Sequence, residues 1–346
     1  LRLSPGRGSG ANPNAFRARI RRVGMDGPDT APDVLVAGEC LVDFIPEPPG
    51  PLPTVEAFRR RAGGAPANVT ARLADLGPAP YFWTRVGDDA FGAFLAAALA
   101  DAGIPDRFVE TDPDARTPLA FVAHDDDADR EFSFYRDHTA DTRLSPGTVP
   151  DRALDAVTWV AFGGVCLSSD PARTATLELA ERAGTRDCTV VFDPNARPEV
   201  WDGGFDFPDS VDAACEVADV VKATPEDLAA AGVDGDDPDV LLDAILERGA
   251  HTAFLTLGGD GAVGRAGGAA PWGPADATHP GYDVDAVDTT GAGDAFTAGA
   301  IRGLADGSGL TGAVSLGNAA AAATTTEPGA TGADVDRTVV DRIRDG

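Results

Sequence analysis

Lysine is nearly missing from this 346-residue chain: of 28 basic residues just one, Lys222, is lysine, against 56 acidic residues and a net charge of −28. That shortage excludes a P-loop phosphotransferase, which needs GxxxxGK[ST], because Lys222 follows Asp-Val-Val and not a glycine turn. The acidic surplus excludes nucleic acid as a partner, since phosphate is repelled unless concentrated salt shortens the screening length to about 3 Å at 1 M. Abundant carboxylates with almost no lysine lead us to expect a salt-loaded cytoplasm. Cysteine is sparse too. Cys40, Cys166, Cys188 and Cys215 show no CxxC spacing, and His124, His138, His251 and His279 form no HExxH, so an imidazole or thiolate metal site is not expected. No apolar run approaches the roughly 20 residues of a membrane span, and with 43% hydrophobic and 24% charged residues the composition is that of a soluble globular protein.

Residues 1–24 carry six arginines and no acid, and they lack the apolar core of a secretory signal. Met25, the sole methionine, opens the acidic remainder. We expect Met25 to be the natural start and residues 1–24 to be a non-native or disordered extension; a basic transit-like arm is the alternative.

What is present is an alternation of short apolar runs with alanine- and leucine-rich stretches. Val34–Gly38, Tyr81–Val86, Trp159–Gly163, Thr189–Asp193, Val217–Lys222 and Thr252–Leu257 read as buried strands, and Ala90–Ala102, Pro171–Ala183 and Pro238–Arg248 as helices. This pattern predicts βαβ units and one α/β domain over residues 25–346. Leu119–His124 and Arg130–Tyr135, joined by the acidic turn Asp125–Asp129, predict a hairpin, and the proline-rich Pro46–Phe58 an extended segment. Segments of about 41–62 and 117–137 are therefore expected to form a small β-lid over the carboxyl edge of the sheet. A dinucleotide fingerprint is missing after the first strand, where the chain reads Ala37-Gly38-Glu-Cys-Leu, which argues against a nicotinamide dehydrogenase.

The most informative segment is Asp288-Thr-Thr-Gly291-Ala292-Gly293-Asp294-Ala-Phe296, immediately before a helical pattern. Glycines let backbone approach a phosphate, and the first-turn N–H groups of Ala292, Gly293 and Asp294 are expected to form an anion site. Asp294 stands where a hydroxyl caught between its carboxylate and a γ-phosphate loses its proton, and the helix terminus is expected to keep it ionised. The plainer reading, a helix cap and a turn, explains a lone GxG better than nine residues in this order.

This segment resembles the C-terminal signature of the ribokinase-like (PfkB) carbohydrate kinases. Gly63-Gly64-Ala-Pro-Ala-Asn68, running on to Gly77 and to Gly87-Asp88-Asp89-Ala-Phe-Gly92, is similar to their N-terminal signature. The resemblance covers roughly residues 34–330. It implies a three-layer fold with a mostly parallel sheet, helices on both faces and a small β-sheet lid. It further implies ATP and Mg²⁺, sugar contacts from Asp43, Gly63, Gly64, Asn68, Arg136 and Arg197, and catalysis by Asp294 with Gly291, Ala292 and Gly293. Lys222, Thr256, Gly258, Gly261 and Asn318 are placed by it on the nucleotide, Asp227 and Glu226 on magnesium through water, and Asp288 on a potassium ion. Where relatives have Glu three residues after an Asn or Ser, this chain has Asp227 after Thr224, with Glu226 alongside. Phe132 to Arg136 and Asp193 to Trp201 look most like fructokinases, with 2-keto-3-deoxygluconate next, ribose or a nucleoside third, and a silent sugar-binding regulator the reading of another class. Dimerisation through the lid is implied as well.

Overall fold

The computed structural model describes residues 32–346 except 49, 125–129, 202–203 and 334. The basic extension, Met25 and the acidic turn lie outside them. The chain runs β1 (Val34–Ala37), β2 (Leu41–Pro46), β3 (Phe58–Gly63), α1 (Ala65–Leu76), β4 (Tyr81–Gly87), α2 (Ala90–Asp101), β5 (Val109–Asp112), β6 (Leu119–His124) and β7 (Arg130–Tyr135). It continues with α3 (Asp151–Leu154), β8 (Trp159–Gly163), α4 (Ala172–Gly184), β9 (Thr189–Asp193), α5 (Phe207–Cys215), β10 (Val220–Ala223), α6 (Pro225–Ala230) and α7 (Pro238–Glu247). Last come β11 (Thr252–Thr256), β12 (Ala262–Ala266), β13 (Ala275–His279), α8 (Ala292–Ala305), α9 (Gly309–Thr325) and α10 (Arg337–Asp345).

Nine strands form one sheet in the order β13-β12-β11-β10-β9-β8-β1-β4-β5, parallel from β11 to β5 with an antiparallel edge of β12 and β13. Strand alternation divides the core. Val34 and Val36 of β1, with Trp159 and Ala161 of β8, pack under α1, α8 and α9, whereas Leu35, Ala37, Val160 and Phe162 pack under α4, α5 and α7. Helices on both faces explain why these strands are apolar throughout. The chain order reverses between β8 and β1, the position at which an open α/β sheet offers a ligand crevice outside its carboxyl ends. A cleft lined by Val36, Pro66, Gly163, Asp193, Asn195 and Thr297 lies there.

Two expectations are corrected. The strand predicted from Val217 starts at Val220, because the N–H groups of Val217 and Ala218 still close the last turn of α5 on Ala214. Pro46–Phe58 is not one extended segment: β2 ends at Pro46, Leu52–Thr54 makes a single 3-10 turn, and β3 begins at Phe58. With β6 and β7 these strands form a second sheet, ordered β3-β2-β6-β7. Phe44 and Phe121 stack on one of its faces at 4.8 Å, Phe91 of α2 closes on Phe44, and Tyr135 beside them stays 64% exposed. The other face carries Asp43, in register with Arg61 on β3 and Ala120 on β6.

Candidate active site

The glycine turn before α8 is held from two sides. Asp288 accepts the N–H and hydroxyl of Thr290 at 2.8 and 2.7 Å on one oxygen and the N–H of Gly329 at 2.8 Å on the other. Gly291, at φ 78°, has Ala330 where a side chain would start, 2.5 Å from the position of a Cβ, so this turn admits glycine alone. The helix ladder opens with Ala295 donating to the Gly291 carbonyl at 2.9 Å. The N–H of Ala292 donates instead to Thr289 at 3.2 Å, which reduces the expected anion site to the N–H groups of Gly293 and Asp294. Gly293 lacks a Cβ where the ammonium of Lys222 comes within 3.2 Å.

Asp294 meets the sugar-signature helix directly, since Asn68 Nδ2 donates to its Oδ2 at 2.8 Å. The helix terminus was expected to favour ionisation, yet the carboxyl is pushed up to about 6. Burial outweighs the lowering by Asn68, Lys222 and Arg197, and Asp193 adds to the rise. Asp43 is pushed up further, to about 7, by burial and by the charge of Asp294, with Arg197 opposing. A Cβ on Gly63 would lie 2.0 Å from Asp43 Oδ2, so that glycine makes room for the carboxylate. Gly64, at φ 99°, packs on the Glu39 carbonyl. Asp43, Gly63, Gly64, Asn68, Arg197 and Asp294 are thus brought together beneath the small sheet. Arg197 also lies 5.8 Å from the ring centre of Phe132 on β7, joining the large domain to that sheet.

Under this group sits a buried ion pair. Lys222 Nζ donates to Asp193 Oδ2 at 3.1 Å, and the Thr297 hydroxyl lies 3.2 Å from the same oxygen and 3.0 Å from the Gly293 carbonyl. Desolvation works against the ammonium, but Asp193, Asp227 and Asp294 together hold Lys222 above its ordinary value. The arrangement is a glycine turn at a helix N-terminus with a buried carboxyl at one wall, a cation beneath, and a second carboxyl and an amide opposite.

A family model described as pfkB family carbohydrate kinase matches residues 31–337. The chain belongs to that family. It is 35% identical over 309 residues to fructokinase-1 of Oryza sativa subsp. japonica, covering 86% of this chain and 93% of the rice protein. It superposes with TM-score 0.79 and 28% identity on a double mutant of Vibrio cholerae fructokinase bound to fructose, ADP and a potassium ion, covering 91% and 99%. On Salmonella enterica aminoimidazole riboside kinase with its riboside and an ATP analogue the TM-score is 0.77 at 28% identity, covering 90% and 99%. As a pfkB kinase the protein is an ATP:sugar phosphotransferase.

Other expected residues of this pfkB kinase are placed less simply. The Arg136 side chain, 7% exposed, has its Nε on Asp141 and its Nη1 on Ser168 at 2.7 Å, while its Nη2 has no hydrogen-bond partner among the described residues. Asp227 spends one oxygen on the N–H of Ala196 at 2.7 Å and the other on Thr224 at 2.9 Å in a capping box; Glu226 beside it is exposed. Among the described residues no three His, Cys, Asp or Glu side chains are grouped to hold a metal ion. Thr256 ends β11, and Gly258 (φ 59°) and Gly261 (φ 82°) turn the chain into β12. Asn318 is buried in α9 and bonds Val314 of its own helix at 3.0 Å.

Sequence reasoning missed two groups. Glu39 is buried behind Gly64 and pushed up to about 7 by burial, against the pull of Arg136. Arg72 of α1, 2% exposed, donates to the carbonyls of Ala330 and Ala333, and so fastens the Asn68 helix to the loop behind Gly291. Among the described residues no helix is long and apolar enough to cross a membrane.

Proposed function

We propose that the protein phosphorylates fructose with ATP, Asp294 accepting the proton of the attacked hydroxyl. The observation that carries this reading is the Asn68–Asp294 hydrogen bond, because it unites the polyol-facing groups with the carboxylate at the helix terminus. Asn68 and Asp43 offer both donor and acceptor to neighbouring hydroxyls, and the N–H groups of Gly293 and Asp294 face a transferring phosphoryl group. The fructokinase relatives support the choice of sugar. Lys222, with the turn of Thr256, Gly258 and Gly261 and with Asn318, is assigned to the nucleotide side. Exposed Glu226 is the carboxylate that would hold magnesium through water, where the ion would supply charge neutralisation to the nucleotide phosphates; Asp227, both of whose oxygens are taken by backbone N–H groups, latches the loop of Ala196 to the start of α6. A potassium ion would have to share Asp288 with three donors already in place, so its support is the resemblance and the Vibrio cholerae relative; unchanged turnover on replacing KCl with NaCl would remove it.

The small sheet acts in this reading as a lid that excludes water at closure, and exposed Tyr135 supports pairing of two copies through it. The acidic surface supports a cytoplasm of high salt. Turnover with fructose, 2-keto-3-deoxygluconate, ribose and adenosine, followed by ADP release in molar KCl with Mg-ATP, tests the assignment. Release with the keto acid alone would favour the second reading, in which Arg197, adjacent to Asp43 and Asp294, takes a carboxylate with its planar fork. Asp294→Asn is expected to keep fructose affinity and lose about 10²-fold or more in turnover; near-normal turnover would refute the base.

A further inference from the structure

Strand β3 carries three consecutive arginines, and two are occupied. Arg59 pairs with Glu47 at 2.5 Å, and Arg60 lies over the Phe94 ring at 4.3 Å. Arg61 differs. It stands opposite Asp43 in the register and two residues before Gly63, which puts it on the site-facing side of the small sheet. Its Cδ, Nε and Cζ come within 3.1, 3.2 and 3.6 Å of the place where Gly329 would bear a Cβ. Gly329 donates to Asp288, and Ala330 next to it packs on Gly291, so the guanidinium lies against the loop that shapes the phosphate turn. Among the described residues no carboxylate lies within ion-pair distance of it. In a chain with twice as many acids as bases, a half-buried arginine in that position is kept for another anion.

We propose that Arg61 is a catalytic residue: it holds the transferring phosphoryl group from the lid side. The proposal rests on the kinase reading above. In the step concerned, the sugar hydroxyl oxygen bonds to the γ-phosphorus, and the bond from that phosphorus to the bridging oxygen breaks, its electron pair leaving with ADP. The hydroxyl proton passes to Asp294, whose Oδ2 already accepts from Asn68. Arg61 neutralises the peripheral oxygens throughout and ties lid closure to the presence of a phosphoryl group, so sugar alone would not draw the lid fully shut.

The test combines turnover with calorimetric titration of fructose, fructose 1-phosphate and fructose 6-phosphate into wild type, Arg61→Ala, Arg61→Lys and, as control, Arg59→Ala, in molar KCl. Arg61→Ala is expected to lose about 10²-fold in kcat and about tenfold or more in affinity for the sugar phosphate formed. Fructose affinity should change less than about threefold, with Arg61→Lys intermediate and Arg59→Ala like wild type. Equal loss of fructose and fructose phosphate affinity would make Arg61 a plain lid tether and overturn the proposal, as would wild-type values for Arg61→Ala. If wild type turns over no sugar, the kinase reading falls together with the proposal; if wild type is active and only the Arg61 results are flat, Arg61 alone is refuted.

Discussion

Asn68→Ala separates a base tuned by its neighbours from one that merely sits nearby. Asn68 donates to Asp294 at 2.8 Å and so favours the ionised carboxylate, whereas burial raises the carboxyl to about 6. A hydrogen bond to a charged group is worth roughly 1.5–3 kcal/mol, and one pKa unit corresponds to about 1.4 kcal/mol. Removing the amide therefore raises Asp294 by at most about two units, and by about one once water fills the space. The base must be ionised to act, so activity is lost as pH falls through its pKa. The acid limb of kcat/KM for fructose, which reports the free enzyme, is expected near pH 6 in wild type and near 7 in the variant, measured by ADP release from pH 5 to 9 in molar KCl.

Asp43→Asn is the control. Asp294 ionises near 6 while Asp43, held near 7 by burial and by the charge of Asp294, is still mostly protonated, so neutralising Asp43 should leave the Asp294 limb in place even as sugar affinity drops. Because the two carboxyls interact, kcat/KM in wild type will show two macroscopic steps that belong to the pair. An acid limb that stays in place in Asn68→Ala, or moves down, would refute the tuning and with it the hydrogen bond's role in catalysis.

Arg302, 3% exposed, grips Asp33 with both carboxylate oxygens at 3.0 Å, and Arg302→Met strands that acid in the core. A loss of about 3–5 kcal/mol is expected in urea unfolding; a loss under about 1 kcal/mol would mean that water reaches the site. Stability should rise steadily from 0.1 to 2 M KCl, since the −28 net charge is self-repelling and screening relieves it, and a melting temperature insensitive to KCl would contradict the salt reading. Fructose binding at pH 7 should release protons, because hydroxyls donating to Asp43 favour its ionised form while the free group sits near 7; calorimetry in buffers of different ionisation enthalpy would show no difference if that contact is not made.

What the sequence made legible follows from the range of the forces concerned. Buried strands such as Trp159–Gly163 and Thr189–Asp193 were readable to the residue because burial on both faces demands an unbroken apolar run. The edge strands β12 and β13 were not, since one side faces solvent and their apolar content is diluted. At the site, Asp294, Gly291 and Asn68 were legible because helix-terminal geometry writes itself into a contiguous motif. Motif membership alone did not reveal what each residue does. Asp89, within the N-terminal signature, caps α2 through Phe91 and Gly92 and also takes the N–H and hydroxyl of Thr117, so it anchors the base of the lid and does not touch the sugar groups. Arg136 and Asp227 resemble ligand-binding residues in sequence, yet Arg136 spends two of its three nitrogens on Asp141 and Ser168, and both oxygens of Asp227 are taken, by Ala196 and by Thr224. Arg72 and Arg61 read as ordinary members of an arginine-rich chain, because what distinguishes them is the loop around Gly329, some 260 positions further along. Local patterning therefore encodes the glycine turn and the helix it opens, whereas which charges stay open at the cleft and which are tied into the scaffold is decided by long-range packing that a linear reading does not contain.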